Sequence, residues 1–397
     1  MMKKTEQQRV IQGLLDHLDA STNVDAGGQV KIPVSTYLCP ERAQQEWDLF
    51  FQDYPSILGL AADLPEAGTF FTNTDLGKPI LCARDNEGRF HAFLNVCRHR
   101  GVVVEASASG KKQTFSCPFH AWTYSNQGEL VALPREDHFG PVDKSCHGLV
   151  RLPAEEKHGL LFVNPSPNGA LDLDERLGEL GPELESWNLG RFVGSGAVTY
   201  PHAMNWKLAN DTFGETYHFN VLHKNTLAHE FYGNVQMYDT FERNHRMMLC
   251  LKNIETLRYQ SKADWQVLEG SLPVYFLFPN VQLIIGREGP TLVRVYPEEA
   301  NPHASYSKIS FYLDSELLTH TESEETRQIL LDIQGRMRGF GEIIQQEDYV
   351  AAASSHVGMR SGAQEYLTFG RNEPALHHYH NTYRSALGLP PLTVNSH

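Results

Sequence analysis

Hydrophobic and polar positions change their spacing along the chain. Residues 1–20 predict a short amphipathic helix, and residues 28–45, punctuated by two prolines, predict irregular structure. From about residue 46 to 165, short apolar runs alternate with turn signals, of which 85–88 and 126–128 are typical of hairpins. This segment therefore predicts a small antiparallel β domain.

The second half of the chain mixes strand and helix periods. After a linker at 165–175, residues 196–211 lead from a strand into a helix, residues 273–299 predict two or three strands, and residues 307–316 predict one more. Residues 322–354 carry apolar side chains near helical spacing and predict a long helix. The expected architecture is an antiparallel sheet flanked by helices, so the fold class is α+β.

Chain length suggests how these segments group into domains. A chain of 397 residues is too long for one ordinary hydrophobic core. We expect an N-terminal helix and arm at 1–45, an all-β domain at 46–165 and an α+β domain at 166–397, with the arm packed on the last of these.

Charge and cysteine content exclude several classes of function. The 34 basic and 48 acidic residues give a net charge of −14, which argues against nucleic acid as a partner. No apolar stretch reaches the roughly 18 residues of a membrane span, and the N-terminus lacks the apolar core of a signal peptide. The six cysteines are too sparse for a disulfide scaffold, so we expect a cytoplasmic protein.

Two short loops combine one cysteine with one histidine each: Cys97 with His99, and Cys117 with His120. Two thiolates on one iron and two imidazoles on another form the ligand set of a Rieske [2Fe–2S] centre. The alternative is a structural zinc site with the same four ligands. Because a zinc finger usually places its two cysteines together and then its two histidines, the order found here favours the Rieske centre.

The segments CRHRG and CPFHAWTY resemble the cluster-binding loops of the ring-hydroxylating oxygenase family. The resemblance implies that Cys97 and Cys117 hold one iron, and that His99 and His120 hold the other. It also implies that Trp122 is the family's aromatic residue packed beneath the cluster. The alternative for Trp122 is an ordinary core tryptophan.

Further metal-binding residue types follow in the α+β region. Asp211, Glu215 and His218 are spaced to share one face of a helix, which must end or loosen at 219–222 if His223 is to reach the same metal. Two histidines and one carboxylate make the facial triad of non-heme iron oxygenases, which leaves positions open for O2. The alternative is a solvated helix face with chance histidines.

This stretch resembles the mononuclear-iron helix of the same family, with one departure. Glu215 stands where the family usually has Asp, and Asp211 occupies the acidic or amide position before it. The resemblance implies a catalytic role for this face. It further implies that Glu215 hydrogen-bonds an iron-ligand histidine and connects it to His120 of a neighbouring subunit.

The third ligand of the triad must come from elsewhere in the chain. Glu342, Glu347 and Asp348 in the long helix are the candidates. The segment QQEDYVAAAS resembles the family's ligand segment, which implies Asp348. We interpret Glu342 and Glu347 as part of an exposed helix face.

The resemblance covers about residues 45 to 385 and implies the catalytic, α-type component of a multicomponent oxygenase. Such an enzyme uses O2 to hydroxylate, demethylate or cleave a small substrate, either an aromatic one, as in aromatic hydrocarbon catabolism, or one like a quaternary ammonium. Its cofactors would be a Rieske cluster and mononuclear Fe(II). It would form a homotrimer and take electrons from a separate NAD(P)H-dependent reductase, directly or through a ferredoxin. The alternative is a Rieske-type electron carrier without catalysis, although a carrier needs only about 100 residues.

Two other groups of residues admit more than one interpretation. His377, His378 and His380 look like a metal cluster, but no carboxylate or cysteine lies close to them in sequence, so we expect a packing or surface role. Six aromatic residues are candidates either for a substrate pocket or for the core: Phe213, Tyr217, Phe219, Tyr232, Phe276 and Phe278.

Overall fold

A computed structural model of the chain describes residues 2–318 and 324–395 and divides into two compact units. The larger unit comprises Met1–Glu46, Asp174–Asn188 and Gly194–His397, and the smaller unit comprises Trp47–Leu173 and Leu189–Val193. The first two residues of the predicted helix 322–354 lie outside the described residues.

The α-helices of the described residues, in chain order, are α1 (Lys4–Ala20), α2 (Ser35–Leu38), α3 (Pro40–Glu46), α4 (Glu136–Phe139), α5 (Leu173–Leu177), α6 (Gly181–Ser186), α7 (Trp206–Asp211), α8 (Val267–Gly270), α9 (Ser315–Leu318), α10 (Glu324–Ile343), α11 (Tyr349–Arg360) and α12 (Pro374–Ala386). Short π-helical segments occupy Trp47–Phe51 and Ile344–Asp348.

The β-strands are β1 (Gln29–Pro33), β2 (Ser56–Leu60), β3 (Thr69–Asn73), β4 (Ile80–Arg84), β5 (Phe90–Leu94), β6 (Ser109–Lys111), β7 (Thr114–Ser116), β8 (Thr123–Ser125), β9 (Leu130–Ala132), β10 (Arg151–Leu152), β11 (Ala154–Lys157), β12 (Leu160–Val163), β13 (Phe192–His202), β14 (Phe231–Phe241), β15 (Asn244–Leu251), β16 (Ser271–Leu277), β17 (Val281–Ile285), β18 (Pro290–Pro297), β19 (Ser305–Asp314), β20 (Tyr366–Phe369) and β21 (Val394–Asn395).

The smaller unit is built from small antiparallel sheets, as its sequence pattern predicts. A five-stranded sheet runs β10-β5-β4-β3-β6, and three-stranded sheets run β11-β12-β2 and β7-β8-β9. Both predicted hairpins are present: β4 turns into β5 through Gly88 at φ 79°, and β8 into β9 through Gly128 at φ 85°. Glycine adopts these left-handed conformations without steric cost.

A seven-stranded sheet of order β13-β19-β18-β17-β16-β15-β14 forms the centre of the larger unit. Strands β14 to β19 pair antiparallel with their neighbours. All residues of β17 and β18 are buried, so helices or loops cover both faces of the sheet there. The α+β prediction is therefore confirmed for this part of the chain.

Two local predictions differ from the structure. Residues 28–45 are not irregular: they form β1, which pairs with β20 and β21, and then α2 and α3. The sequence pattern also missed β14 and β15, which lie between the predicted helix and the predicted strands. Long-range pairing decides the structure at β1, because its partners lie more than three hundred residues away in sequence. No helix in the described part of the chain has the length and apolarity that a membrane crossing requires.

Candidate metal centres and active site

The two Cys/His loops of the smaller unit share one backbone design. Cys97 N–H donates to Val102 O and Gly101 N–H to Cys97 O, at 2.8 and 3.0 Å. In the second loop Cys117 N–H donates to Trp122 O and Ala121 N–H to Cys117 O, at 2.8 and 2.9 Å. Gly101 and Ala121 both adopt positive φ. Each loop is therefore a tight turn that begins at its cysteine.

The four side chains of these loops differ in exposure. Cys97 and Cys117 are 4% and 3% exposed, whereas His99 and His120 are half-buried, with ring centroids 4.7 Å apart. The buried Trp122 stacks on His99 at 5.0 Å. The Nδ1 atom of His99 is buried and has no hydrogen-bond partner among the described residues. A ring nitrogen left free in this way is available as a ligand, so the four residues fit a Rieske cluster.

Tyr124, which the sequence analysis missed, also contacts this site. Its buried hydroxyl accepts the N–H of Arg98 at 3.0 Å and lies 3.3 Å from Cys97 Sγ. Because its lone pair accepts from Arg98, its own hydrogen is free to point at the sulfur. Hydrogen bonds to cluster sulfurs tune the reduction potential. A tyrosine two residues after Trp122 on β8 is the sequence signal for this contact.

The helix that was predicted to carry Asp211, Glu215 and His218 on one face ends earlier than expected. Helix α7 is capped by Asn205, whose side chain accepts Lys207 N–H at 3.0 Å, and it ends at Asp211. Turns continue to residue 226. Gly214 follows the helix end, has a low helix propensity, and packs so closely that an added Cβ would lie 2.3 Å from Leu376 Cδ2.

His218, His223 and Asp348 come together despite this difference. Among the described residues they are the one group of at least three His, Cys, Asp or Glu whose potential ligand atoms all lie within 4.8 Å of one another. His218 Nε2 lies 3.2 Å from His223 Nε2, and Asp348 Oδ1 lies 3.3 Å from each of these nitrogens. Ligand atoms about 2.1 Å from a metal and at right angles are about 3.0 Å apart, so the spacing fits three neighbouring coordination positions.

Hydrogen bonds set the charges in this group. Burial lowers the pKa of His218, but its hydrogen bonds to Asp348 and Glu215 outweigh burial and raise the pKa to about 9. Burial acts to raise the pKa of Asp348, but the hydrogen bonds from His218 and His223 hold the pKa below its usual value. The surroundings therefore favour positive charge between the imidazoles, as a bound metal cation would supply.

Two more carboxylates contact the outer nitrogens of the imidazoles. Glu215 Oε1 hydrogen-bonds His218 Nδ1, and its Oε2 accepts the backbone N–H of His218 at 3.1 Å. Glu347 Oε2 lies 2.7 Å from His223 Nδ1. The interpretation of Glu347 as an exposed helix face is therefore wrong, because the π-helical segment Ile344–Asp348 turns it inward. Glu342 is exposed, as expected.

Asp211 does not hydrogen-bond the triad. Tyr37 donates to its Oδ2 at 2.6 Å, and His380 Nε2 donates to its Oδ1 at 2.8 Å. His377 and His380 are buried in α12, as a packing role predicts. No carboxylate lies close to His380 in sequence, but Asp211, 169 residues away, contacts it in the folded chain.

A small apolar cavity of about 50 Å³ adjoins His223 and Asp348. Of the six candidate aromatic residues only Phe213 and Phe219 line it. Tyr217 is 66% exposed, and Phe276 and Phe278 belong to the core. The other lining residues include several that the sequence analysis did not single out: Leu227, Phe231, Leu249, Leu272, Val274, Ile284, Phe340 and Ile344.

Both parts of the chain match models of known protein families. Residues 189–389 match the ring hydroxylating alpha subunit (catalytic domain) model, and residues 56–150 match the Rieske [2Fe–2S] domain model. The chain belongs to the ring-hydroxylating alpha-subunit family. The Rieske-domain match implies a [2Fe–2S] cluster, and the catalytic-domain match implies mononuclear non-heme iron. The two Cys/His loops fall within the Rieske match, and the triad falls within the catalytic-domain match.

Relatives in this family act on different kinds of molecule. The chain is 29% identical over 229 residues to the anthranilate 1,2-dioxygenase large subunit of Acinetobacter baylyi, covering 56% of the chain and 47% of that subunit. It therefore spans about half the length of this relative. It is 25% identical over 355 residues to the chloroplastic choline monooxygenase of Spinacia oleracea, covering 88% of the chain and 76% of the relative.

Solved structures show the same fold at lower identity. The quaternary ammonium Rieske monooxygenase CntA in complex with L-carnitine matches with a TM-score of 0.74 at 18% identity, covering 91% of this chain and 96% of that one. Naphthalene 1,2-dioxygenase from Rhodococcus sp. bound to indole matches with a TM-score of 0.71 at 18% identity, covering 96% and 98%. The fold is therefore shared by oxygenases of both substrate types.

Proposed function

We propose that this chain is the terminal oxygenase component of a multicomponent system. It would use O2 and electrons from a separate NAD(P)H-dependent reductase to oxygenate a small organic substrate. The observation that carries the proposal is the convergence of His218, His223 and Asp348 in a chain that also has the four cluster residues. When bound, the cluster stores single electrons and the mononuclear iron activates O2. An electron carrier without catalysis would need only the four cluster residues.

The chain's own residues have separate roles in this proposal. Cys97 and Cys117 would hold one iron of the cluster, and His99 and His120, which are less buried, would hold the other. His218, His223 and Asp348 hold the mononuclear iron.

One nearby carboxylate, Glu215, acts through a ligand, and another, Asp211, acts on the helix that precedes them. Glu215 keeps the proton on His218 Nδ1, so that Nε2 faces the metal. Asp211, held by Tyr37 and His380, fixes the end of α7 before the turns that carry His218 and His223.

Iron content and cluster reoxidation test this assignment together. The wild-type chain should contain three irons, and Asp348→Ala should contain two, with an unchanged Rieske EPR signal after reduction. O2-dependent reoxidation of the reduced cluster in the presence of substrate should be lost in Asp348→Ala. The matched control Glu342→Ala changes an exposed carboxylate of the same helical run and should behave as wild type. Three irons in Asp348→Ala would overturn the ligand assignment, and a wild type that holds only two would favour the electron carrier.

We further infer a homotrimer in which electrons pass between copies. His99 and His120 are half-buried and are flanked by exposed residues of the smaller unit, and Glu215 and His218 line an open groove of about 530 Å³ in the larger unit. The groove gives His120 of a second copy access to Glu215. We also place the enzyme in the cytoplasm, because all six cysteines are free of disulfide bonds.

Mixed oligomers test the transfer between copies. Cys97→Ser removes the cluster from one chain, and Asp348→Ala removes the mononuclear iron from another. Each variant alone should be inactive, and co-expression of the two should restore part of the activity, because an intact cluster then faces an intact triad on a neighbouring chain. Co-purified but inactive mixtures would show that electrons stay within one chain.

The cavity walls favour a small, neutral, apolar substrate such as a single aromatic ring. Four phenylalanines and several aliphatic side chains surround most of the space, beside His223, Asp348 and Glu215, and no lysine or arginine of the described residues lines it. A substrate carboxylate would therefore be buried without a cationic partner, which is costly. The volume of about 50 Å³ is far below that of ordinary ligand pockets and below the roughly 150 Å³ of a cavity that binds benzene, so a ring-sized substrate requires the walls to move apart.

Two matched pairs of compounds test this substrate class. Toluene should stimulate substrate-coupled O2 uptake and benzoate should not, since they differ mainly by a carboxylate. Choline and its neutral carbon isostere 3,3-dimethylbutanol have nearly the same shape, and the neutral one should be preferred. A clear preference for choline would instead support a quaternary ammonium substrate held by cation–π contacts with the phenylalanines.

A further inference from the structure

Both ring nitrogens of His223 contact carboxylates, and these belong to two consecutive residues of one helical segment. Its Nδ1 lies 2.7 Å from Glu347 Oε2, and its Nε2 lies 3.3 Å from Asp348 Oδ1. The imidazole is 1% exposed, so water does not compete for either nitrogen. Glu347 and Asp348 thus hold opposite edges of the same ring.

The backbone explains how two consecutive residues reach one ring. In an α-helix, neighbouring side chains point about 100° apart around the axis. Here Glu347 and Asp348 end the π-helical segment Ile344–Asp348, a widened turn between α10 and α11. Single π-turns inside α-helices occur often at functional sites.

Thr226 reinforces the position of the Glu347 carboxylate. Its hydroxyl donates to Oε2 at 3.0 Å, the same oxygen that faces His223 Nδ1. The Glu347 side chain is 25% exposed, so its other oxygen can remain solvated. One carboxylate oxygen therefore accepts two hydrogen bonds from the turn that carries His223.

An ionised carboxylate only accepts hydrogen bonds, so Nδ1 of His223 must carry the proton. The lone pair of the ring is then on Nε2, which faces His218 and Asp348. Glu215 has the same relation to His218. Each imidazole of the triad thus has its own carboxylate on the outer nitrogen.

We propose that Glu347 is a positioning residue for metal binding: it fixes the tautomer and orientation of His223. This inference rests on the proposed function, since it takes His223 as an iron ligand. Glu347 is not itself a ligand in this arrangement, because the ring of His223 lies between its carboxylate and the point where the three ligand atoms meet. Loss of such a carboxylate typically weakens metal binding about 10–100-fold.

Cobalt(II) binding to the metal-free triad of the full-length chain is the measurement that tests this role. Equilibrium dialysis of the cluster-loaded protein gives the affinity of wild type, Glu347→Gln, Glu347→Ala and the control Glu342→Gln. Both hydrogen bonds converge on one oxygen, and a glutamine carbonyl can accept them. We therefore expect the largest loss of affinity, about 100-fold, in Glu347→Ala, a smaller loss of about 10-fold in Glu347→Gln, and none in the control.

Other outcomes would overturn the inference. Equal affinity in wild type and Glu347→Ala would show that His223 is positioned without Glu347. Equal loss in the Gln and Ala variants would mean that only the negative charge matters and that the tautomer is not fixed in this way. A lower unfolding midpoint in metal-free Glu347→Ala with unchanged cobalt affinity would make the role purely structural. If wild type shows no cobalt site that depends on Asp348, the proposed function fails, whatever the Glu347 variants do.

Discussion

The buried ion pair between Lys207 and Glu46 allows a quantitative test of how α7 is held in place. Both side chains are only 1% exposed, and Trp206 Nε1 also donates to the Glu46 carboxylate at 3.1 Å. Lys207→Met keeps the length and the apolar stem of the side chain but removes the charge. Glu46 is then left buried without its cationic partner, with the indole N–H as its remaining partner in this group.

The expected cost follows from this geometry. Breaking a buried pair on one side costs about 3–5 kcal/mol of unfolding free energy, because an uncompensated charge stays in the core. Replacing both charges removes most of that penalty. The double variant Lys207→Met/Glu46→Gln keeps an acceptor for Trp206, so it should be more stable than Lys207→Met by about 2–3 kcal/mol.

Urea unfolding followed by circular dichroism measures these differences, with iron content as the functional readout. Because the turns that carry His218 and His223 follow α7 directly, Lys207→Met should also lose mononuclear iron before it loses the cluster. Arg371→Met, which breaks the exposed pair with Asp25, is the control and should leave the midpoint nearly unchanged. The reasoning fails if Lys207→Met is within about 1 kcal/mol of wild type, or if the double variant is no more stable than the single one.

Three further predictions concern other parts of the chain. Tyr124→Phe removes a hydrogen bond to Cys97 Sγ and should lower the cluster's reduction potential in voltammetry; an unchanged potential would contradict this contact. Gly214→Ala should cost about 1–3 kcal/mol in urea unfolding, and adding Leu376→Ala should recover part of it. Burial lowers the pKa of His356 from 6.5 to about 4, so stability should fall as pH drops from 6.5 towards 4, and His356→Gln should show a flatter pH dependence.

Features that depend on near neighbours in the chain could be predicted from the sequence. The Cys/His loops are turns of a few residues, and their chemistry follows from residue type and short spacing. The hairpins at Gly88 and Gly128 and the strand-to-helix passage into α7 are also local, so periodicity and turn residues were enough to predict them. The family resemblance then supplied Asp348, which no local pattern distinguishes from Glu342 and Glu347.

Tertiary structure alone decided what lies around the triad. Glu347 contacts His223 across 124 residues, and Asp211 receives His380 across 169. Gly214 packs closely against Leu376 of α12, and the cavity walls come partly from β14 and β15, which periodicity did not reveal. In each case the deciding contact joins residues far apart in the chain. Local sequence fixes which conformations each segment can adopt, but only the packed core determines which side chains meet.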